Sequence, residues 1–120
     1  MRPEGSMAHE AIFDLNTGEF LRQTTHQGLS DDSAWARGLG WSLYGYSQVF
    51  AITELDEFLA VAECNADYWV SHLPKDHVPY WDFDADLKAP LPWGPQKDTS
   101  AGAIVASGLL PNSSREVGRW

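Results

Sequence analysis

The chain has 120 residues, enough to bury one core, and its 43% hydrophobic and 21% charged residues are ordinary for a globular protein. A formal net charge of −9, without a lysine/arginine cluster, argues against a nucleic-acid partner, because such a surface repels phosphates. The sequence has no apolar run of about 20 residues and no signal-peptide pattern, so no membrane association is expected. Its single cysteine cannot form an internal disulfide, and the cytoplasm is the expected compartment.

The first 25 residues carry turn signals and little periodicity. Residues 2–6 and 16–18 are typical of turns, and the short apolar run at 11–13 predicts a strand between them. A hairpin-like excursion is therefore expected. His9 lies in this region, where chemistry alone favours a surface histidine over a ligand contact.

A first helix is predicted over about residues 33–50. Residues 30–33 supply N-cap candidates, and apolar residues then recur at three- and four-residue steps. Arg37 and Trp41 are four residues apart, so they share one face near the helix start. Three glycines, each costing about 1 kcal/mol relative to alanine, indicate close approach of a helix or a ligand. The predicted inward stripe consists of Trp35, Leu39, Leu43, Tyr46 and Phe50.

A second helix is predicted to begin near Thr53, in a segment that resembles a capping box, and to stop before Pro74. The link to the first helix is short, so the two should pack as an antiparallel hairpin. Cys64 is interpreted as a small packed residue of this helix. The predicted apolar stripe consists of Leu55, Phe58, Leu59, Ala62, Ala66, Trp69 and Val70.

The rest of the chain predicts a stiff connection and further helical segments. Four prolines make residues 78–95 extended rather than helical. Asp98 is the predicted cap of a third helix that ends near Leu110, and residues 111–114 are interpreted as its end and a new cap. Residues 114–120 predict the start of a fourth helix. The expected fold class is all-α, with helical hairpins joined by long loops.

The alternating Asp82, Asp84 and Asp86 suggest two hypotheses. A calcium loop fails, because Leu87 stands where that loop needs glycine and Trp93 where it needs glutamate. Asp82 and Asp84 could form the carboxylate pair of a glycoside hydrolase, although solvated loop carboxylates are commoner.

Other catalytic and metal-binding motifs are absent from the sequence. His9 and His26 lack a short two-ligand zinc spacing, no GxSxG surrounds a serine, and no phosphate-binding GxxxxGK[ST] occurs. Neither a metal nor another cofactor is expected.

Residues 25–41 combine the side chains that a sugar site needs. His26, Gln27, Asp31 and Arg37 can bond to hydroxyls, and Trp41 can cover an apolar sugar face. Arginine can also hold a uronate carboxylate through two parallel hydrogen bonds.

Two interpretations of this region remain open on chemistry alone. In the sugar-site interpretation, His9 and Trp81 are candidate neighbours. In the other, the region is a buried and capped helix start in which Asp31 pairs with Arg37.

The sequence resembles the unsaturated glucuronyl hydrolases of glycoside hydrolase family 88 over nearly its whole length. The specific block is His-Gln-Gly-x-Ser-Asp-Asp-Ser-x-Trp-Ala-Arg-Gly at 26–38, followed by Trp41 and Tyr-Gly-Tyr at 44–46. Further matches are Arg-Pro-Glu-Gly-Ser at 2–6 with His9, Pro-Tyr-Trp-Asp-Phe-Asp at 79–84, and residues 98–101 leading to 106–110.

The resemblance implies part of an (α/α)6 barrel and an unsaturated uronic-acid oligosaccharide as the ligand. Enzymes of this family remove a 4,5-unsaturated uronic acid, left by polysaccharide lyases. An aspartic acid protonates the C4=C5 double bond, water adds at C5, and the resulting hemiketal opens. The substrate-binding residues carried over by the resemblance are His9, His26, Gln27, Arg37 and Trp41.

The chain departs from the family in one serious respect. The family's acid/base aspartates lie upstream of the position of Met1, so no catalytic residue is expected here. Residues 1–120 are expected to be one partial domain, truncated at both ends. Leu39 and Gly40 also replace the usual Gln-Ala pair.

Two functional hypotheses follow from this departure. The chain is a hydrolase fragment whose activity belongs to the complete barrel, or it is a non-catalytic uronate-binding or remnant protein. A partial barrel would expose apolar inner faces, so self-association is expected.

Overall fold

A computed structural model describes residues 1–92 and 94–116, with side chains described as far as Leu110. Two strands, β1 (Glu10–Phe13) and β2 (Phe20–Thr24), precede three helices, α1 (Ala36–Thr53), α2 (Asp56–His72) and α3 (Thr99–Glu116). The described part is mostly helical, as predicted. None of its helices is both long enough and apolar enough to cross a membrane.

The two strands pair as a small antiparallel hairpin, so the all-α fold class was incomplete. Glu10 lies opposite Thr24, and the predicted strand at 11–13 falls within β1. The turn is closed by Asp14, whose carboxylate accepts backbone N–H bonds from Asn16 and Thr17, each of 2.8 Å. These hydrogen bonds, that from Thr17 first, hold the pKa of Asp14 below its ordinary value.

Helix α1 contacts both other helices. It runs antiparallel to α2, since Ser42 donates to Asn65 at 2.7 Å and Tyr46 stacks on Phe58 further along α1. The predicted hairpin is therefore confirmed. The contacts with α3 advance in the same direction along both helices, from Gly40 beside Val105 to Leu43 beside Gly108, so α1 and α3 run parallel.

The helix starts differ from the predicted ones because their expected caps have other partners. α1 begins at Ala36, later than the predicted 33, and its N-cap residue Trp35 makes no side-chain cap bond. α2 begins at Asp56 and likewise has no side-chain cap. The Thr53 hydroxyl donates to the carbonyl of Val49, four residues earlier, instead of capping α2.

The buried face of α2 matches the predicted stripe in part, since Ala62 and Trp69 are buried. Leu55 and Val70 are 51% and 65% exposed, whereas Asn65 and Tyr68 are buried. Asn65 fixes this orientation, because its side chain donates to the carbonyl of Gly5 at 2.7 Å and accepts from α1. Cys64 is exposed rather than packed.

Helix α3 continues through Pro111 to Glu116, so the predicted end near Leu110 and the new cap at 111–114 are wrong. A proline removes one backbone donor and disfavours the helix interior, but it does not by itself end a helix. Residues 117–120 of the predicted fourth helix lie outside the described residues.

The described residues form a flat body of 49 × 46 × 20 Å that leaves large apolar side chains in contact with solvent. Leu15 on the hairpin turn is fully exposed, and Ile52 at the end of α1 is largely exposed. Exposed apolar surface of this kind favours association, and self-association of the chain stays a prediction.

Two glycines provide a test of the α1–α3 packing. A Cβ at Gly108 would lie 2.6 Å from Leu43 Cδ2 and 2.9 Å from Tyr44 Cα, whereas a Cβ at Gly45 would meet nothing within 4 Å. Gly108→Ala should therefore lower the free energy of unfolding by about 1–3 kcal/mol. Gly45→Ala should raise it by up to about 1 kcal/mol through helix propensity. Urea unfolding followed by circular dichroism measures the free energy of unfolding of both variants. Changes of the same sign in the two variants would contradict this packing.

Candidate functional site

Residues 79–83, which we call the docking segment, lie between the residues that precede α1 and those that precede α3. Antiparallel bridges join Trp35 to Asp82 on one side and Tyr80 to Lys97 on the other. The N–H of Asp98 also donates to the carbonyl of Pro79 at 2.9 Å. The docking segment thus holds the starts of α1 and α3 at the same end of the molecule.

Asp82 fixes the loop before α1 to the docking segment. Its side chain is fully buried and accepts hydrogen bonds from the Leu29 N–H (2.9 Å), the Ser33 hydroxyl (2.7 Å) and the Asp84 N–H (3.0 Å). Asp84 in turn accepts from the N–H of Ala34 at 2.8 Å. The hypothesis of a catalytic Asp82/Asp84 pair is not supported, because Asp82 has no solvent-exposed surface and both its oxygens accept hydrogen bonds from the protein. These carboxylates organise the loop.

The alternating aspartates also bind backbone groups rather than converge on an ion. Asp86 accepts from the N–H of Lys88, two residues later. Within residues 1–92 and 94–116, no three His, Cys, Asp or Glu side chains are arranged to hold a metal ion.

Arg37 lies one residue inside α1 and pairs with Asp98, which is almost fully buried. Its Nε and Nη2 donate to Asp98 Oδ2 at 3.1 and 2.7 Å, and its Cζ lies 5.6 Å from the Trp35 ring centroid. The Asp31–Arg37 pair of the second interpretation is therefore wrong. Asp31 instead accepts from the N–H of Thr25 at 3.0 Å.

His9 packs against the same tryptophan as Arg37. Its ring centroid lies 4.4 Å from that of Trp35 and 6.4 Å from that of His26. His9 Nδ1 accepts the N–H of His26 at 3.2 Å and lies 3.0 Å from the Thr25 hydroxyl. Since a backbone N–H can only donate, this contact assigns the proton of neutral His9 to Nε2. The imidazole of His26 contacts the carboxylate of Glu10.

Gln27 and Trp41 flank this group along the chain, but no hydrogen bond or ring contact joins them to it. Gln27 is exposed, and its side chain has no hydrogen-bond partner among the described residues. Trp41 is 53% exposed and contacts Tyr44 edge-to-face at 5.9 Å. Trp81, a candidate neighbour, belongs to the docking segment and donates from its indole to the carbonyl of Gly94.

Arg2 ties the N-terminal turn to the loop before α1. Its guanidinium donates to the Ser6 hydroxyl at 3.0 Å and to the Ser33 carbonyl at 3.2 Å. The Ser6 hydroxyl also bonds to the carboxylate of Glu4, which holds the pKa of Glu4 below its ordinary value. The Arg-Pro-Glu-Gly-Ser block therefore has a structural role in supporting this loop.

An aromatic cluster supports the docking segment from the α2 side. Phe83 meets Tyr68 and Trp69 edge-to-face at 5.9 and 5.3 Å. Burial raises the pKa of Tyr68, and the nearby negative charge of Asp84 raises it further.

Sequence reasoning missed the roles of three residues at this site. Trp35 was predicted only as a core residue and Asp98 only as a helix cap, and Thr25 received no role. Asp98 is indeed a cap, since its Oδ1 accepts the N–H of Ala101 at 3.0 Å. Its pairing with Arg37 joins positions 61 residues apart, a separation that no local spacing rule reaches.

The fold and the site define a helical protein that brings histidine, arginine and tryptophan side chains together at the end where α1 and α3 begin. No family profile matches the chain. It is 40% identical over 111 residues to the unsaturated glucuronyl hydrolase of Formosa agariphila, covering 91% of this chain and 27% of that protein. It is 35% identical over 112 residues to the unsaturated chondroitin disaccharide hydrolase of Streptococcus pyogenes, covering 91% and 26%.

Solved structures give the same result. An unsaturated glucuronyl hydrolase specific for heparin superposes with a TM-score of 0.85 at 38% identity, covering 95% of this chain and 30% of that one. A mutant enzyme from Streptococcus agalactiae, complexed with dGlcA-GalNAc6S, gives 0.70 at 34% identity, covering 92% and 28%. These matches confirm the predicted resemblance: the chain corresponds to a segment of the unsaturated glucuronyl hydrolases. It spans 26–27% of the length of the curated relatives cited above.

The buried Asp82 provides the second prediction. Asp82→Ala should leave three donors without their acceptor and lower the free energy of unfolding by about 3 kcal/mol. Asp86→Ala, at an exposed position of the same connection, should change it by less than about 0.5 kcal/mol. Urea denaturation of both variants tests this, and equal effects would show that Asp82 does not hold the loop.

Proposed function

We propose that this chain supplies a sugar-recognition segment of an unsaturated glucuronyl hydrolase, within the (α/α)6 barrel that the resemblance implies. The ligand is an oligosaccharide that ends in a 4,5-unsaturated uronic acid. The observation that carries the proposal is the contact of both His9 and Arg37 with one tryptophan, Trp35, in a chain similar to these enzymes over 91% of its length. The exposed side chains of His26, Gln27 and Trp41 lie beside this group in sequence.

Four of the five proposed residues retain a group that could bind a sugar. Arg37 has N–H donors beyond the two that Asp98 uses, and His9 has its Nε2–H. The free amide of Gln27 can both donate and accept, which suits a hydroxyl or the uronate carboxylate. The exposed Trp41 can cover the apolar face of a sugar ring.

The proton donor of the reaction is proposed to come from a part of the barrel outside this chain. The carboxylates beside the recognition residues are already engaged: Asp98 by Arg37, Asp82 by loop donors, and Glu10 by His26. In the proposed reaction, an aspartic acid protonates the C4=C5 double bond and water adds at C5. The hemiketal then opens and the glycosidic bond is lost.

The third prediction concerns binding by the 120-residue chain. Isothermal titration with an unsaturated chondroitin disaccharide should show binding, and Arg37→Ala should weaken it by about tenfold or more, since hydrogen bonds to charged groups are strong. Arg22→Ala removes another exposed arginine, on β2, and should leave the affinity unchanged. The saturated disaccharide is the matched ligand control.

Three outcomes would contradict the proposal. They are no binding by the unaltered chain, equal binding of the saturated sugar, and equal losses in Arg37→Ala and Arg22→Ala. Loss of the ultraviolet absorbance of the unsaturated uronate on incubation with this chain alone would overturn the proposed external proton donor.

A further inference from the structure

We propose that Asp98 is a positioning residue for Arg37, which it orients and neutralises so that Arg37 acts as a directed N–H donor rather than as a free positive charge. The inference rests on the proposed function of Arg37 in sugar recognition. It assigns Asp98 a role beyond capping α3.

The two carboxylate oxygens of Asp98 have separate partners. Oδ1 accepts the N–H of Ala101 at 3.0 Å and caps α3. Oδ2 accepts from Arg37 Nε at 3.1 Å and from Nη2 at 2.7 Å. A cap needs only the first oxygen. The second therefore serves Arg37, and two bonds from one guanidinium to one oxygen restrict the rotation of the arginine side chain.

Asp98 is itself held rigidly. Its side chain is 4% exposed, its N–H donates to the Pro79 carbonyl at 2.9 Å, and the preceding Lys97 bridges to Tyr80. The docking segment that provides these contacts also accepts the Ala36 N–H, one residue before Arg37. Both partners of the ion pair are thus fixed to the same piece of backbone.

The arginine end of the pair faces solvent and an aromatic surface. The Arg37 side chain is 39% exposed and its Cζ lies 5.6 Å from the centroid of Trp35. Nη1 donates to no partner among the described residues, since the hydrogen bonds of Arg37 use only Nε and Nη2. The geometry leaves the Nη1 donors for a ligand, while the buried carboxylate compensates the positive charge.

The test separates the two functions of Asp98 with Asp98→Ser. Serine is a good N-cap, so α3 should keep its cap and the chain its fold by circular dichroism, while Arg37 loses its carboxylate. The Arg37 Nε–H resonance, assigned by its absence from the Arg37→Ala spectrum, should exchange faster with water. Affinity for the unsaturated disaccharide should fall about as far as in Arg37→Ala, roughly tenfold. In the Asp98→Ser/Arg37→Ala double variant, the loss of affinity should be no larger than in Arg37→Ala alone.

A neighbouring ion pair supplies the matched control. Lys97 Nζ bonds to the carboxylate of Asp76 at 2.9 Å, at a more exposed position. Asp76→Ser removes this pair from the same region and should alter neither the Arg37 Nε–H exchange nor the affinity. Arg37→Lys keeps a positive charge without the planar fork, and its affinity should fall as in Arg37→Ala.

The experiment distinguishes failure of the positioning role of Asp98 from failure of the proposed function. If the unaltered chain binds no unsaturated sugar, the proposed function fails, and the proposed role of Asp98 in recognition fails with it, whatever the resonance shows. If the chain binds, unchanged affinity or unchanged Nε–H exchange in Asp98→Ser overturns the positioning role. Additive losses in the double variant, or full binding by Arg37→Lys, would also overturn it.

Discussion

The burial of the Asp82 carboxylate is the constraint on which the rest of the structure depends. A buried charge costs several kcal/mol unless donors surround it, and here the donors come from the Leu29 and Asp84 backbones and the Ser33 hydroxyl. These groups reach Asp82 only if the loop before α1 folds onto the docking segment. One carboxylate therefore sets the path of the chain from His26 into α1.

The docking segment also fixes the geometry of the candidate site. Its two edges hold the residues before α1 and before α3, and these helices run parallel from that end. Arg37 and Asp98 consequently meet although they are far apart in sequence. The stability of the loop and the geometry of the site thus rest on one set of backbone contacts. A substitution in the docking segment would disturb both.

Sequence periodicity predicted the parts of the fold that local rules govern. It located α1 and α2, and the cap signal at Asp98 located the start of α3. The predicted start of α1 is too early, because Ser33 has the residue type of a helix cap but donates its hydroxyl to the Asp82 carboxylate. The predicted helix boundaries are wrong where polar side chains expected to cap a helix bond to other groups of the folded chain.

The site residues could be proposed from residue type and family resemblance, but their partners could not. Asp31, near in sequence and of opposite charge, is the partner of Arg37 in the second of the two interpretations that the sequence leaves open. In the structure Asp31 accepts the N–H of Thr25, and Arg37 pairs with Asp98. The docking segment brings Asp98, and not Asp31, within hydrogen-bond distance of Arg37. Proximity in sequence is a poor guide to ion pairs across loops.

Charge compensation at Arg37 changes how an anionic sugar would be recognised by a chain of formal charge −9. A free arginine would attract a uronate through a field that salt screens over about 8–10 Å. An arginine already paired with Asp98 adds little net field, so its contribution is the direction of its remaining N–H groups. Recognition on this proposal depends on hydroxyl and carboxylate geometry more than on charge. Such a site would discriminate between uronates by ring shape, which is the property that a C4=C5 double bond changes.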